Sequence, residues 1–318
     1  MSTNTTGPTG NTGVPGNTIS STTGRVVHSV SSAVNRWWFT PVPKARIAAF
    51  RLLAYTFIPL DMMWLRPWGA AHGYVDGDLY RPLQIGRIIP LPTPTPTIVH
   101  VVQYGAVLAA VALVVLVARD RAPKWQVALG AGVFLLYLEW MVISFSYGKV
   151  DHDRFGYLVA LAVLPTAGRA ALRDMTPSAA AGWSLRMVQV GVVATYFLAA
   201  IAKVRFGGWG WVNSTTIARA VIRRGTMFAD PLLQMPWTLQ LTQWFIMTLE
   251  FVSPVLLFIR PRLQQYAVAF LICFHVMTYL MIRIIFMPHV VCLAAFLPLE
   301  RVFNRERPTT TASAVSTP

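Results

Sequence analysis

Residues 196–204 read Tyr196-Phe197-Leu198-Ala199-Ala200-Ile201-Ala202-Lys203-Val204. They close an apolar run that begins near Trp183. A run of this length can cross a bilayer, where a helix needs about 20 residues. A lysine ends it, and Trp209 and Trp211 follow, as interfacial aromatics do. Lys203 therefore has two readings. A lysine at the end of a span can snorkel to the headgroups as an anchor. An amine held away from water can instead serve as a base near neutral pH.

The rest of the chain resembles this run in character. Hydrophobic residues make up 55% of the 318, and charged residues only 12%. A soluble domain carries about 25% charge. The expected fold class is all-α, a polytopic integral membrane helical bundle of about eight transmembrane or re-entrant helices. The net charge of +15 does not point to nucleic acid, because the basic residues are spread over short loops between spans. The expected partners are membrane lipids. Cys273 and Cys292 both fall inside apolar runs and read as buried packing residues. No metal site is expected, since no matching Cys/His set occurs. Nucleotide-binding glycine loops, a nucleophile elbow and a zincin signature are all missing from the sequence.

In chain order, residues 1–24 are almost all Ser, Thr, Gly, Asn and Pro, and are expected to be disordered. Together with a basic, aromatic juxtamembrane stretch they make up residues 1–45. A transmembrane domain is expected over 46–300, and a loose tail over 301–318. Eight candidate spans lie at about 46–64, 99–118, 125–147, 155–172, 183–203, 238–259, 264–285 and 288–299. The last is short enough to be re-entrant. Residues 65–98 are rich in Pro, Gly and aromatics and are expected to resist regular structure. Residues 214–224 read as a short interfacial helix with Arg219, Arg223 and Arg224. Its basic residues suit lipid phosphates or an anionic substrate. Basic residues near 25–46, 119–124, 169–186, 260–262 and 301–307 mark the cytoplasmic side, with both termini inside a multi-pass cell membrane protein.

This topology sends several ionisable residues to the outer half. Asp61, His152, Lys203 and His289 fall near outer span ends, while Glu139, Glu250 and His275 lie deeper. Charges at membrane depth face a bundle interior or a water-filled cavity. One polar outer cavity and a set of helix-fastening pairs both fit.

Four separated segments then resemble the vitamin K-dependent gamma-glutamyl carboxylase family, and more closely its bacterial relatives, the horizontally transferred transmembrane domain (HTTM) proteins. The segments are Ala49-Phe50-Arg51-Leu52-Leu53 with Asp61; Asp151-His152 before Phe155-Gly156-Tyr157-Leu158; Tyr196 through Val204 with Trp211-Val212; and Phe274-His275-Val276-Met277 with Pro288-His289. They cover about residues 45–300. The resemblance implies that Lys203 is the base that deprotonates reduced vitamin K or menaquinone. His152 would assist the quinone, and carbon dioxide would be added to a carboxylate-bearing substrate. His275, His289, Asp61 and Glu250 are the cofactor-binding candidates, and Arg205 and Arg283 are candidate neighbours of Lys203. The sequence departs from the pattern at Ala200, Asp151, Thr278 and His289. It also lacks the family's large lumenal region, so carboxylation of a protein does not follow. The expectation is a quinol-dependent carboxylase-like or oxygenase-like enzyme. Its rivals are a non-catalytic scaffold or lipid- or partner-binding subunit, and a transporter.

Overall fold

The computed structural model describes residues 2–3, 31–89, 91–148 and 150–304. The expectations for the low-complexity stretch 1–24 and for the tail from 305 onward lie outside these residues. Residues 31–38 are helical and belong to a unit of their own, residues 1–40. Within it Trp37 and Trp38 meet edge to face, with ring centroids 4.8 Å apart.

The second unit, residues 41–318, is all-α apart from one two-residue ladder among the described residues. β1 (Val42–Pro43) pairs antiparallel with β2 (Pro177–Ser178). The principal helices are α1 (Lys44–Leu60), α2 (Pro96–Ala118), α3 (Gln126–Phe145), α4 (Phe155–Val163) and α5 (Ala179–Gly207). They continue with α6 (Thr216–Arg224), α7 (Pro236–Val252), α8 (Pro261–Ile282), α9 (Met287–Leu293) and α10 (Glu300–Phe303). Five segments are long and apolar enough to cross a membrane: Lys44–Leu65, Pro96–Ala118, Gln126–Phe145, Ala179–Gly207 and Pro261–Ile282. The three other expected spans are shorter helices with tight 3-10 continuations. These run over Leu164–Ala167, Ser253–Leu257 and Ala294–Phe296. Pro165 and Pro254 open the first two continuations. Proline has no N–H to continue an α-helix and clashes with the preceding turn.

Polar contacts gather alternate helix ends. At one end Lys44 pairs with Asp174 at 3.4 Å, and Arg46 grips Glu300 through two bonds of 2.6 and 2.7 Å. Arg51 lies one turn further in and is 2% exposed. It donates to Gln126 Oε1 and to the carbonyls of Leu164 and Gly168, tying α1 to α3 and to the turn after α4. Gly168 has φ +70, a left-handed turn that a side chain would disfavour. Arg51 is thus a fastening residue.

At the opposite end of α1, Pro59 breaks the helical ladder, and the backbone widens to a π-type turn over Asp61–Leu65. Gln103 of α2 donates to the Met62 carbonyl inside that turn, at 3.0 Å. The turn holds Asp61 inward, fully buried. Arg154 forks onto the Asp61 carboxylate with contacts of 2.8, 2.9 and 3.1 Å, and the Tyr137 hydroxyl donates to it at 2.6 Å. Arg66 pairs with Asp151 beside this cluster. Three segments, α1, α3 and the entry to α4, are therefore joined through one carboxylate.

The expected irregular loop holds more structure than its composition suggests. Pro67–Tyr74 and Gly77–Leu79 wind as 3-10 turns, and Gln84–Ile88 as one helical turn. Cys292 is buried as expected, but Cys273 is exposed on α8. Its run is apolar on every side, so composition could not assign a face.

Removing one partner of the Asp61 cluster leaves a buried charge uncompensated. Asp61→Ala is expected to lower stability by about 3–5 kcal/mol. Tyr137→Phe, which deletes one hydrogen bond, is expected to cost about 1 kcal/mol. Thermal unfolding of the detergent-solubilised chain measures both, and equal shifts for the two variants would contradict the clamp.

Candidate active site

Helical spacing builds the site from α5 outward. Tyr196, Ala199 and Lys203 are three and then four residues apart, so they share one face. Ile246 and Glu250 repeat the pattern on α7, and His275, Thr278 and Ile282 on α8. These faces enclose a cavity of about 280 Å³. His289 of α9 closes it on one side, and His152 and Asp153, in the turn before α4, on another. Thr216, Ile217 and Ala220 of α6 also line it.

Lys203 does not reach away to a distant headgroup. Its Nζ lies 2.6 and 2.5 Å from the two oxygens of Glu250, and 5.3 Å from the centre of the Trp211 ring. The two side chains are 22% and 13% exposed. Neither Arg205 nor Arg283 lines the cavity. Arg205 instead lies over the Phe206 ring.

The imidazoles form a second polar cluster. Tyr196 Oη lies 2.6 Å from His275 Nε2. The His289 ring stands edge-on to Tyr196 at 4.5 Å and lies 5.4 Å from His275. His289 is 2% exposed, yet neither of its ring nitrogens has a protein partner among the described residues. His275 Nδ1 is in the same condition. Buried polar atoms normally find partners, so these three nitrogens are unsatisfied positions beside the cavity. The Phe286 ring lies 5.0 Å from His275 and 6.3 Å from His152, between the two. Burial pushes the Asp153 carboxyl above the usual carboxylate range, against the pull of Arg154, Arg66 and His152.

Of the six residues singled out from sequence, Lys203, His152, His275, His289 and Glu250 line this one cavity. Asp61 does not; it is fully enclosed with Arg154 and Tyr137. Sequence reasoning missed Tyr196, Asp153 and Phe286 as lining residues. Tyr196 was within reach, because it lies seven residues before Lys203 on the same face. Phe286 was not, because its place depends on how the chain turns after α8. Among the described residues no group of His, Cys, Asp or Glu is arranged to hold a metal ion. Among the described residues of the 65–98 loop none lines the cavity. The loop lines a separate surface cleft with Tyr147 instead.

Helices of this length and composition define a polytopic helical membrane protein. Residues 169–301 match the HTTM domain family, a stretch running from the turn before β2 to the start of α10. The chain is thus an integral membrane protein in which residues 169–301 are similar to the HTTM domain. The match covers less than half of the chain, and it holds Lys203, Glu250, His275 and His289 but not His152 or Asp61. Neither a curated protein nor a solved structure matches the chain.

The Lys203–Glu250 pair should behave as a unit. Lys203→Met and Glu250→Met each strand one charge, while the double variant strands none. A double-mutant cycle on thermal stability is expected to return a coupling of roughly 1–3 kcal/mol. Strict additivity would show that the two groups do not interact.

Proposed function

We propose that the chamber binds the ring of a reduced quinone of the vitamin K or menaquinone type. In this reading Lys203 is the base of a quinol-dependent carboxylase-like or oxygenase-like reaction on a carboxylate-bearing substrate. The observation that carries it is the convergence of Lys203, Glu250, His152, His275 and His289 on one small chamber with unspent imidazole nitrogens. At about 280 Å³ the chamber sits just below the usual range of roughly 300–1,000 Å³ for small-molecule sites. Such a size suits a ring better than a ring with its tail. When bound, a quinol supplies a hydroxyl proton and two electrons.

The chain's own groups have distinct parts in this reading. Glu250 can take a proton from Lys203 Nζ, which leaves an uncharged acid and an uncharged amine. Lys203 Nζ can then accept a proton from a hydroxyl in the chamber. His275 and His289 can hold ring oxygens through the nitrogens that lack protein partners. His152 and Phe286 limit the chamber on the side of α4 and α9.

The closed Lys203–Glu250 contact favours a second reading, in which the pair only fastens α5 to α7 and the chain is a non-catalytic scaffold or lipid- or partner-binding subunit. The readings separate on oxygen uptake with reduced menaquinone in nanodiscs. The enzyme reading expects uptake by the wild type and a fall of about 10²-fold or more in Lys203→Ala. Equal uptake in both folded samples removes the base assignment. Quinone binding without uptake, followed by a tryptophan quenching that Trp211→Phe removes, favours the scaffold.

We further propose that both termini are cytoplasmic and that the chamber lies in the outer half of a cell membrane. The end of the bundle that gathers Lys44, Arg46 and Arg301 is supported as the inner one by the positive-inside tendency. With Cys273 and Cys292 replaced, a single cysteine at Phe228 is expected to react with an impermeant maleimide on intact cells. A cysteine at Arg121 is expected to react only after lysis. The reverse pattern inverts the topology.

A further inference from the structure

The amphipathic helix α6 carries a feature that the quinol reading does not use. Arg219 and Arg223 lie one turn apart, and Arg224 follows; all three are exposed. Among the described residues none of them is ion-paired to a carboxylate. The face through Ile217 and Val221, opposite Arg219 and Arg223, lines a second cavity of about 460 Å³ between α6, α7 and α8; Arg224 ends the helix on that groove side, three residues after Val221. Phe245, Phe274 and Met277 supply much of its apolar wall. The two hydroxyls that reach it are already spent. Thr242 donates to the Thr238 carbonyl at 2.8 Å and Thr278 to the Phe274 carbonyl at 2.9 Å. The walls therefore suit hydrocarbon, while the same helix carries three exposed guanidiniums. Trp237, Trp244 and Phe228 are exposed in the neighbouring segments, as aromatics are at the headgroup level.

We infer that α6 and the groove beneath it form a binding site for an anionic glycerophospholipid, with one acyl chain between α7 and α8 and the phosphate on Arg219, Arg223 and Arg224. A free phosphate would use only the arginines. A neutral hydrophobe would use only the groove. A lipid of net negative charge uses both, because three unpaired cations near a membrane surface favour an anion. The groove also shares Ile217, Ile246, Phe274, Thr278 and Ile282 with the polar chamber. A chain seated there would brace the wall between the two. The inference does not depend on quinol chemistry, since neither Lys203 nor His152 lines the groove.

Native mass spectrometry of the full chain in detergent tests it, with dioleoyl phosphatidylglycerol and dioleoyl phosphatidylcholine offered at equal concentration. The expected result is a preference for phosphatidylglycerol of about tenfold or more. Substituting Arg219→Gln, Arg223→Gln and Arg224→Gln together should erase that preference, and the three Arg→Lys changes should keep most of it. Met277→Trp, which fills the groove, should lower retention of both lipids. Glycerol 3-phosphate should not displace phosphatidylglycerol. Equal retention of the two lipids by the wild type would overturn the inference. So would a preference that survives in the folded triple Gln variant, or displacement by glycerol 3-phosphate.

Discussion

A charge inside a hydrocarbon layer has to be matched by a partner, because an uncompensated ion there costs several kcal/mol. The buried Asp61 carboxylate meets that requirement with the Arg154 fork and the Tyr137 hydroxyl. One acidic residue thereby sets the approach of α1, α3 and α4. The same demand operates at the other end of α1, where Arg51 is satisfied by an amide and two carbonyls rather than by an acid. These two polar knots lie about ten residues apart on one helix. They fix its rotation, and the apolar faces that surround them follow.

With that scaffold set, the second half of the chain supplies the chamber. α5 carries Tyr196 and Lys203 on one stripe, and α7 and α8 bring Glu250 and His275 against it. The pairing is asymmetric in a useful way. Lys203 and Glu250 satisfy each other, whereas the His289 ring is enclosed with both nitrogens unspent. A fully satisfied cluster can hold helices together with no ligand. Unspent buried nitrogens leave room for one. The matched HTTM stretch covers the lysine, the glutamate and two of the histidines, so the core of the chamber and the family match coincide.

Much of this was legible in the residue order. Long apolar runs separated by basic turns gave the helical membrane class, and Trp209 and Trp211 after Lys203 marked the end of a span. Ionisable residues within and at the ends of apolar runs pointed to a common cavity, which five of the six candidates line. Asp61 was grouped with them because it falls near the end of its span, as Lys203 and His289 do. Depth is readable from a sequence, but the direction of a side chain past Pro59 and a π-type turn is not. Arg154, its actual partner, attracted no notice, because nothing local sets it apart from other loop cations. Cys273 likewise sits on the exposed side of a helix whose residues are apolar all round.

The sequence by itself determined the helical membrane class, since transfer of a helix into hydrocarbon depends on its composition and length. It also determined which residues can carry chemistry, since that is a property of their side chains. Tertiary structure decided which charge meets which. It sent Asp61 to Arg154, Glu250 to Lys203, and left the buried His289 nitrogens without a hydrogen-bond partner among the described residues. Those choices rest on helix rotation and on where prolines break the backbone. Both are settled only when the faces pack, because a helix that is apolar on every side has no preferred face until a neighbour provides one.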